Sequence, residues 1–369
     1  MNKNTSQKVI VVYEEADDNL TRWKDRFLHM EILGQRNPIT EKIIEQQLRR
    51  FIDFFRDRYG HERVSAVVRR DVKAWLDYLY DPEDVGGMGF AAATVNNHKA
   101  HLSSFMSWLQ GQAPHLLPEN PVNRIKDILL PAPEPRALTE PKLRSLMNVC
   151  DRLERFHQLK GRQWRGKEAP LKKNARPKRD RAIVYTLLST GLRREMLVDL
   201  NLDQLDPNDP DKLRSSRSAK LVRVRGKGRT EVTKRLNEDA RQALADYLEF
   251  ERIRDVDPES RALFLTALKV PDRKPGGRMH PRSINRILEQ IGKWHDAEQS
   301  DPERHISPLR PHDLRHTYAF FLSELTGGDR SVLQRELGHR NDRYIDVYTN
   351  PPEEVSARYT EKLYERRKL

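Results

Sequence analysis

The chain has 369 residues, and its 68 Lys and Arg against 55 Asp and Glu leave a formal net charge of +13 and a sequence pI of about 9.7. No apolar run approaches the roughly 18 residues that span a bilayer, the N-terminus lacks the layout of a signal peptide, and the single cysteine, Cys150, excludes an intrachain disulfide. We therefore expect about two domains in a reducing compartment, and a polyanionic partner such as nucleic acid rather than merely a solvated basic surface.

Composition and periodicity divide the chain into five segments. Residues 1–22 are acidic and without clear periodicity, which indicates an N-terminal extension. Residues 23–130 are predicted to form a helical unit, and the prolines of 131–136 indicate a linker. Residues 137–352 show mixed α and β patterns, and 353–369 are predicted to form a C-terminal tail helix. The predicted fold class is mainly α with a small β component (α+β).

Three helices stand out in residues 23–130. The first is predicted to begin at Thr40 as N-cap and to stop at Gly60, and Asp71 is predicted to cap the second. A third runs through residues 94–109, where apolar side chains recur at helical spacing. Such a unit would either bind DNA or be a helical bundle with a solvated polar face. The predicted helices alone do not distinguish these two possibilities.

The second half begins with a helix capped by Thr139. The stretch 155–180 holds ten Lys or Arg against two acids and lacks periodicity, so we expect a basic loop insertion. A helix then ends at Gly191, and a two-stranded hairpin turns around Lys227. Because the hairpin region 213–235 adds nine Lys or Arg against one acid, these two segments exceed the whole surplus of positive charge. Further helices are predicted near 237–254, 282–295, 313–325 and 329–337.

Several chemistries find no support in the sequence. There is no GxxxxGK[ST] phosphate loop, no HExxH, no GxSxG, and one cysteine cannot build a CxxC zinc site. We expect neither a metal nor another cofactor. What remains are four short segments: Thr190-Gly191-Leu192-Arg193, Gly226-Lys227-Gly228, His312-Asp313-Leu314-Arg315-His316-Thr317-Tyr318, and Leu337-Gly338-His339, which Tyr348 follows nine residues later.

In these segments the chain resembles the tyrosine recombinases, the phage-integrase family. That family shows TGLR, a lysine in a β-hairpin turn, HxxRHT, LGH and a tyrosine nine positions beyond that histidine, all present here in the same order. Each motif alone is a weak signal, but five in order are a strong one. The resemblance covers about 137–350 and extends more weakly to 23–130, where the family has a helical core-binding domain that ends near an Asn-Pro, here Asn120-Pro121.

The resemblance implies a site that breaks and reseals a phosphodiester through a 3′-phosphotyrosine, which conserves the bond energy. Tyr348 would be the nucleophile, and the guanidinium groups of Arg193 and Arg315 would neutralise the non-bridging oxygens. Lys227 would protonate the leaving 5′-oxygen, and His312 would assist proton transfer from the nucleophile. The remaining expected contacts to DNA are His339 on the scissile phosphate and, on the surrounding backbone, Arg194, Arg225 and Arg229.

Alternatives exist for several of these residues. Arg193 would otherwise cap a helix C-terminus, His312 would be a structural histidine, and Tyr344 is a rival nucleophile. Arg229 or Lys234 would replace Lys227 as the acid. His316 is expected to be structural or to support its neighbours. The family also has an acid three residues after the first arginine, whereas Met196 stands there and Glu195 lies one residue earlier. We include Glu195 in the predicted site, although this shift rotates a helical side chain by about 100°.

The expected function is site-specific recombination of double-stranded DNA, integrating, excising or transposing a mobile element, with the two domains forming a clamp around DNA. The resemblance implies a homotetramer in the synaptic complex, and the tail at 353–369 is expected to be exchanged between protomers. The alternatives are a chromosome or plasmid dimer resolvase, a non-catalytic DNA-binding regulator, and a type IB topoisomerase. We expect a location in the prokaryotic cytoplasm, associated with the nucleoid.

Overall fold

The computed structural model describes residues 17–131, 136–160, 169–226 and 231–338. The chain divides into two compact units, the first ending at Ala132 and the second beginning at Pro133. Each unit has its own hydrophobic core. Among the described residues, no helix is both long enough and apolar enough to cross a membrane.

The described part of the first unit is helical. Aromatic side chains dominate its core, where the rings of Phe51 and Trp75 meet edge to face with centroids 5.1 Å apart. In the first predicted helix, apolar residues recur at helical spacing and are buried in this core: Ile44, Leu48, Phe51, Ile52 and Phe55. The helices are α1 (Leu20–Phe27), α2 (Pro38–Tyr59), α3 (Arg69–Tyr80) and α4 (Ala92–Gln112).

The helix starts in this unit differ from those predicted. Helix α2 begins at Pro38 rather than after Thr40, and the side chain of Asn37 caps it by accepting a hydrogen bond from the Ile39 amide at 2.9 Å. Proline fits this first position because the amide there needs no helical partner. Asp71 lies in the first turn of α3, where its carboxylate accepts from the Val68 amide at 3.1 Å. Leu20 is fully buried, so the helical core begins before residue 23.

The second unit is mainly helical with one small sheet, as the sequence predicts for the chain as a whole. At its centre, α7 is buried on most sides and packs against α10 and α13. The helices are α5 (Glu140–Asp151), α6 (Leu153–His157), α7 (Pro177–Thr190), α8 (Arg194–Asp199), α9 (Pro210–Ser215), α10 (Glu238–Tyr247), α11 (Ile253–Asp255), α12 (Pro281–Ala297), α13 (Pro311–Leu325) and α14 (Arg330–Leu337).

The predicted hairpin is present as strands β2 (Lys220–Arg225) and β3 (Glu231–Arg235), which pair antiparallel. Its turn at 227–230 lies outside the described residues. A third strand, β1 (Leu205–Asp206), pairs with the other edge of β2 to give the order β1-β2-β3. Strand β1 was not predicted, because two residues are too few to show an alternating pattern.

The basic stretch 155–180 is only partly a loop, which corrects the prediction of an insertion over its whole length. Helix α7 begins inside this stretch at Pro177, and two arginines of the stretch, Arg176 and Arg179, face inward. Arg176 forms a two-pronged ion pair with the fully buried Asp255, with N–O distances of 2.6 and 2.7 Å. Two nitrogens of the Arg179 guanidinium donate to one carboxylate oxygen of Asp180, Oδ1, at 2.9 and 2.8 Å. Part of the positive charge therefore serves internal ion pairs, and charge along a sequence overstates what is available to DNA.

We expect Arg176→Met to lower the free energy of unfolding by about 3–5 kcal/mol, because it leaves the carboxylate of Asp255 buried without its partner. The exposed pair between Arg144 and Glu140 provides a control, since pairs of this kind contribute about 0–1 kcal/mol. Urea unfolding followed by circular dichroism measures both variants. Equal, small losses for Arg176→Met and Arg144→Met would contradict a structural role for the buried pair.

Candidate active site

The site is built around the end of helix α7. Gly191 ends the helix in the left-handed conformation (φ +61°), and a Cβ there would lie 2.3 Å from Cδ1 of Tyr318. Glycine is therefore required both by the backbone conformation and by the close approach of α13. Arg193 follows two residues later and directly precedes α8, so the Thr190–Arg193 segment places its arginine at the start of α8.

Arg315 lies on α13, and only 2% of it is exposed. Its guanidinium donates to the backbone carbonyl of Gly191 and to that of Leu337, the latter at 2.7 Å. These two carbonyls belong to the ends of α7 and α14, where helices leave carbonyl groups without internal partners. The contacts fix the plane of the guanidinium, so Arg315 is oriented before any substrate binds.

The Thr190–Arg193 and His312–Tyr318 motifs meet in one cleft of about 440 Å³. Arg193 and Arg194 line one side, and His312 and Arg315 come from α13. Four arginines, Arg193, Arg194, Arg315 and Arg310, line this opening and favour an anion with several oxygens, such as a phosphodiester. The residues that complete the lining are Leu192, Glu195, Asn285, Glu289, Pro308, Leu309 and Pro311.

His312 is the second residue of α13 and is exposed on the cleft wall. Partial loss of solvent around its ring lowers the pKa of His312, and the positive charges of Arg315 and Arg193 lower it further against the opposing effect of Glu195. The imidazole is thus held in the neutral form that can accept a proton. Four residues later, burial and the neighbouring His312 lower the pKa of His316 to about 4, which keeps this second ring neutral. Neutral imidazoles limit repulsion among the cations of the cleft.

We expect the pKa of His312 in the DNA-free protein to lie below the ordinary value of about 6.5. Arg193→Ala should move it upward, because it removes one of the positive charges that oppose protonation. Histidine-selective NMR over pH 4–8, with the His312 signal assigned through His312→Gln, measures both values. A pKa of 6.5 or above, or no change in Arg193→Ala, would argue against electrostatic control of this ring.

Glu195 lines the cleft, where its carboxylate accepts from the guanidinium Nε of Arg194 at 3.0 Å. Burial opposes ionisation, but hydrogen bonds from Arg194 and the positive charge of its guanidinium leave the pKa of Glu195 below its ordinary value. Met196 instead packs against the hydrophobic core. The one-residue shift therefore still leaves a carboxylate on the cleft wall, near His312.

Other predicted residues lie elsewhere. Arg225, at the end of β2, lines a second cleft together with Met196 and Glu231, rather than the cleft of Arg193. Lys234, the alternative acid, is buried and bound to Glu336, and it does not line the first cleft. This burial makes Lys234 a poor donor to a bound phosphodiester. The predicted residues that fall outside the described ranges are Lys227, Arg229, His339, Tyr344 and Tyr348, with the tail at 353–369.

Helix α12 contributes two side chains to the cleft wall that the sequence did not predict. Asn285 accepts a hydrogen bond from Arg194 at 3.0 Å, and Glu289 follows one turn later on the same cleft wall. Thr317 is a further supporting residue, since its hydroxyl accepts from the Leu138 amide at 2.8 Å and donates to the Asp313 carbonyl at 2.8 Å. The threonine of the His312–Thr317 motif was the available signal for this contact.

Among the described residues, no group of His, Cys, Asp and Glu is arranged to hold a metal ion.

The sequence model of the phage integrase family matches residues 138–354. This range contains the four motif segments in their expected order, and two of them form the cleft. The chain therefore belongs to the phage integrase family, the tyrosine recombinases. It is an enzyme of the class that cleaves and rejoins DNA strands, and the predicted family and activity are confirmed. The matched range includes Lys227, His339 and Tyr348 as well as the described cleft.

Similar proteins include the tyrosine recombinase XerC of Pelotomaculum thermopropionicum, which is 29% identical over 92% of this chain and 95% of its own length. XerC of Thermodesulfovibrio yellowstonii is 27% identical over 71% of this chain and 72% of its own length. Among solved structures, the Tn1549 transposon integrase in complex with transposon right end DNA covers 93% of this chain and 98% of its own, with a TM-score of 0.63 at 18% identity. The XerH site-specific recombinase bound to palindromic difH substrate covers 92% and 83%, with a TM-score of 0.62 at 15% identity.

Proposed function

We propose that this chain is a site-specific recombinase of double-stranded DNA that works through a 3′-phosphotyrosine. The observation that carries the proposal is the convergence of Arg193, Arg315 and His312 in one cleft. Arg193 comes from a distant part of the sequence, and its meeting with His312 and Arg315 of α13 supplies two phosphate-binding cations and one neutral proton acceptor. That combination suits a phosphodiester better than any neutral substrate.

The proposed reaction is a transesterification. The Tyr348 hydroxyl oxygen attacks phosphorus while its proton passes to His312, and a new O–P bond forms on the tyrosine. The bond between phosphorus and the 5′-oxygen breaks, and Lys227 gives that oxygen a proton, leaving a free 5′-hydroxyl. The reverse reaction, with a 5′-hydroxyl from another strand, rejoins the DNA without an external energy source.

The two arginines carry most of the proposed rate enhancement. Negative charge builds on the non-bridging oxygens as phosphorus becomes five-coordinate, and guanidinium groups already in place stabilise this charge without reorganising. Arg315 is fixed by two backbone carbonyls, and Arg193 is placed by the Gly191 turn. His339 is proposed to bind the same phosphate, and Glu195 to influence the charge of His312. In this scheme the reaction requires no metal ion.

The proposed partner is duplex DNA, contacted as a clamp by the helical unit, whose core begins at Leu20 and which ends near residue 130, and by the unit at 137–352. Arg69, Arg70, Lys73 and Arg124 line an open cleft on the first unit, which suits a DNA backbone. Arg225 and Arg229 are proposed to contact the backbone beside the hairpin. Two of the similar solved proteins are described in complex with DNA, which supports this partner. Affinity should fall steeply with salt, since phosphate contacts release counterions.

The proposed assembly is a homotetramer on two sites, with 353–369 exchanged between protomers, in the prokaryotic cytoplasm at the nucleoid. For the biological role we favour integration, excision or transposition of a mobile element, because of the basic segment 155–180. Similar proteins named XerC, which align over most of the chain, favour dimer resolution as the second candidate. A non-catalytic DNA-binding regulator would bind without cleavage, and a type IB topoisomerase would relax DNA without paired sites.

Mapping the covalent junctions that the protein leaves on genomic DNA tests the proposal. Protein–DNA adducts are trapped with SDS, and the attached DNA ends are sequenced. Junctions at the two ends of one element would support the mobile-element role, and a single site on each replicon would support dimer resolution. An absence of adducts together with tight binding would indicate a regulator, and adducts spread without a shared sequence would indicate a topoisomerase.

A further inference from the structure

A buried lysine lies next to the active-site cleft without belonging to its wall. Lys234 is on β3 and is only 4% exposed. Its ammonium donates to the carboxylate of Glu336 at 2.8 Å and also to the backbone carbonyl of the same residue. Burial lowers the pKa of Lys234, and the negative charge of Glu336 opposes that shift. Buried ion pairs contribute little net stability, so this one calls for an explanation other than stability.

The pair lies at the C-terminal end of α14, where the last carbonyl groups have no partner inside the helix. Lys234 binds the carbonyl of Glu336, and Arg315 binds the next one, that of Leu337. Both cations thus bind neighbouring carbonyls at the negative end of the helix dipole. The helix ends at Gly338, whose amide donates to the Gln334 carbonyl.

Glu336 also contacts α13, the helix that carries Arg315. The Tyr318 hydroxyl donates to the Glu336 carboxylate at 3.4 Å, and the Tyr318 ring covers Gly191. The carbonyl of Gly191 is the second acceptor for the Arg315 guanidinium. Glu336 is therefore connected to both carbonyls that orient Arg315, one through its own backbone and the other through Tyr318.

We propose that Lys234 and Glu336 are positioning residues for Arg315. They hold the end of α14 in place, so that the guanidinium of Arg315 faces the scissile phosphate. The proposal rests on the proposed function, because it requires Arg315 to stabilise the transition state. A displacement of about 1 Å at a reacting group can reduce the rate about 100-fold. In the sequence, Lys234 follows the Lys227 turn by seven residues and Glu336 precedes His339 by three, so the pair joins two segments that carry proposed site residues.

The first test compares Lys234→Met with Arg176→Met. Both variants break a buried ion pair of the second unit, but the pair of Arg176 and Asp255 lies outside the cleft lining. We expect Lys234→Met to slow adduct formation on a nicked suicide substrate about tenfold or more at saturating DNA, with the Kd for DNA changed less than about twofold. Arg176→Met should lose stability yet keep the wild-type rate for each folded molecule. Equal rates in the two variants would overturn the proposal.

A second test separates positioning from packing. Lys234→Met should add little to the slow cleavage of Arg315→Lys, because both substitutions disturb the same guanidinium. In case the single variants fold poorly, the double variant Lys234→Met/Glu336→Leu replaces the charges by apolar side chains of similar size. It should fold but still cleave slowly, since the Glu336 carbonyl has lost its donor. Wild-type cleavage by this double variant would overturn the proposal.

A measurement that needs no reaction distinguishes failure of the inference from failure of the proposed function. In the DNA-free protein, the side-chain N–H resonance of Arg315, assigned through Arg315→Lys, should shift in Lys234→Met and Glu336→Gln but not in Arg176→Met. An unchanged resonance would overturn the positioning role. Absence of any wild-type adduct, with the resonance shifting as expected, would instead contradict the proposed function alone.

Discussion

Tyr348→Phe is expected to abolish the covalent protein–DNA adduct. The substitution removes only the oxygen that would bond to phosphorus, so binding of DNA should be preserved while cleavage falls by several orders of magnitude. A suicide substrate nicked near the cleavage point traps the wild-type adduct, because the short released strand diffuses away and rejoining is prevented. Gel electrophoresis in SDS measures the adduct, and fluorescence anisotropy measures DNA binding.

Tyr344→Phe is the matched control, since it makes the same chemical change four residues earlier in the sequence. It should form the adduct at a rate close to that of the wild type. An adduct in Tyr348→Phe that disappears in Tyr344→Phe would transfer the nucleophile to Tyr344. Adducts in both single variants would remove these tyrosines from the proposed mechanism altogether.

Long apolar periodicities predicted the elements of this fold well. The faces of α2 and α4 and the alternation in β2 and β3 depend on neighbouring residues in the sequence, which is why they could be identified there. The helix starts were less accurate. Both Asn37 and Thr40 are suitable caps by residue type, and the proline that follows Asn37 decides the start because it fits the first helical turn.

Burial of charge was the property that the sequence could not show. In the stretch 155–180, nothing local distinguishes Arg176, which pairs with Asp255, from lysines that remain at the surface. The partner lies 79 residues away, so only the folded chain brings the two charges together. The same holds for Lys234, the alternative acid, because its partner Glu336 is 102 residues distant.

The candidate site was predicted in part because motif spacing identifies residue types but not their supports. Arg193, His312 and Arg315 were expected together and line one cleft. The carbonyls that orient Arg315 belong to Gly191 and Leu337, and backbone groups leave no trace in residue identity. Helix α12 contributes Asn285 through a contact with Arg194, which likewise depends on packing between distant elements.

The two site arginines should respond differently to alanine, because only one of them also supports the fold. Arg193→Ala is expected to lower the cleavage rate at saturating DNA about 10²–10³-fold, the usual effect of removing one positioned donor from a transition state. The free energy of unfolding should change by no more than about 0.5 kcal/mol, as for most substitutions outside a core. Single-turnover adduct formation and urea unfolding measure the two quantities.

Arg315→Ala should cause a comparable or larger loss of cleavage and, in addition, lower the free energy of unfolding by about 1–3 kcal/mol. The added loss arises because the carbonyls of Gly191 and Leu337 would remain buried without their donor. Arg315→Lys, which keeps the charge but not the two-pronged geometry, should recover part of the stability and little of the rate. Equal losses of stability in Arg193→Ala and Arg315→Ala would show that the carbonyl contacts do not fix the orientation of Arg315. The effects of both variants on the cleavage rate would then be attributed to charge alone.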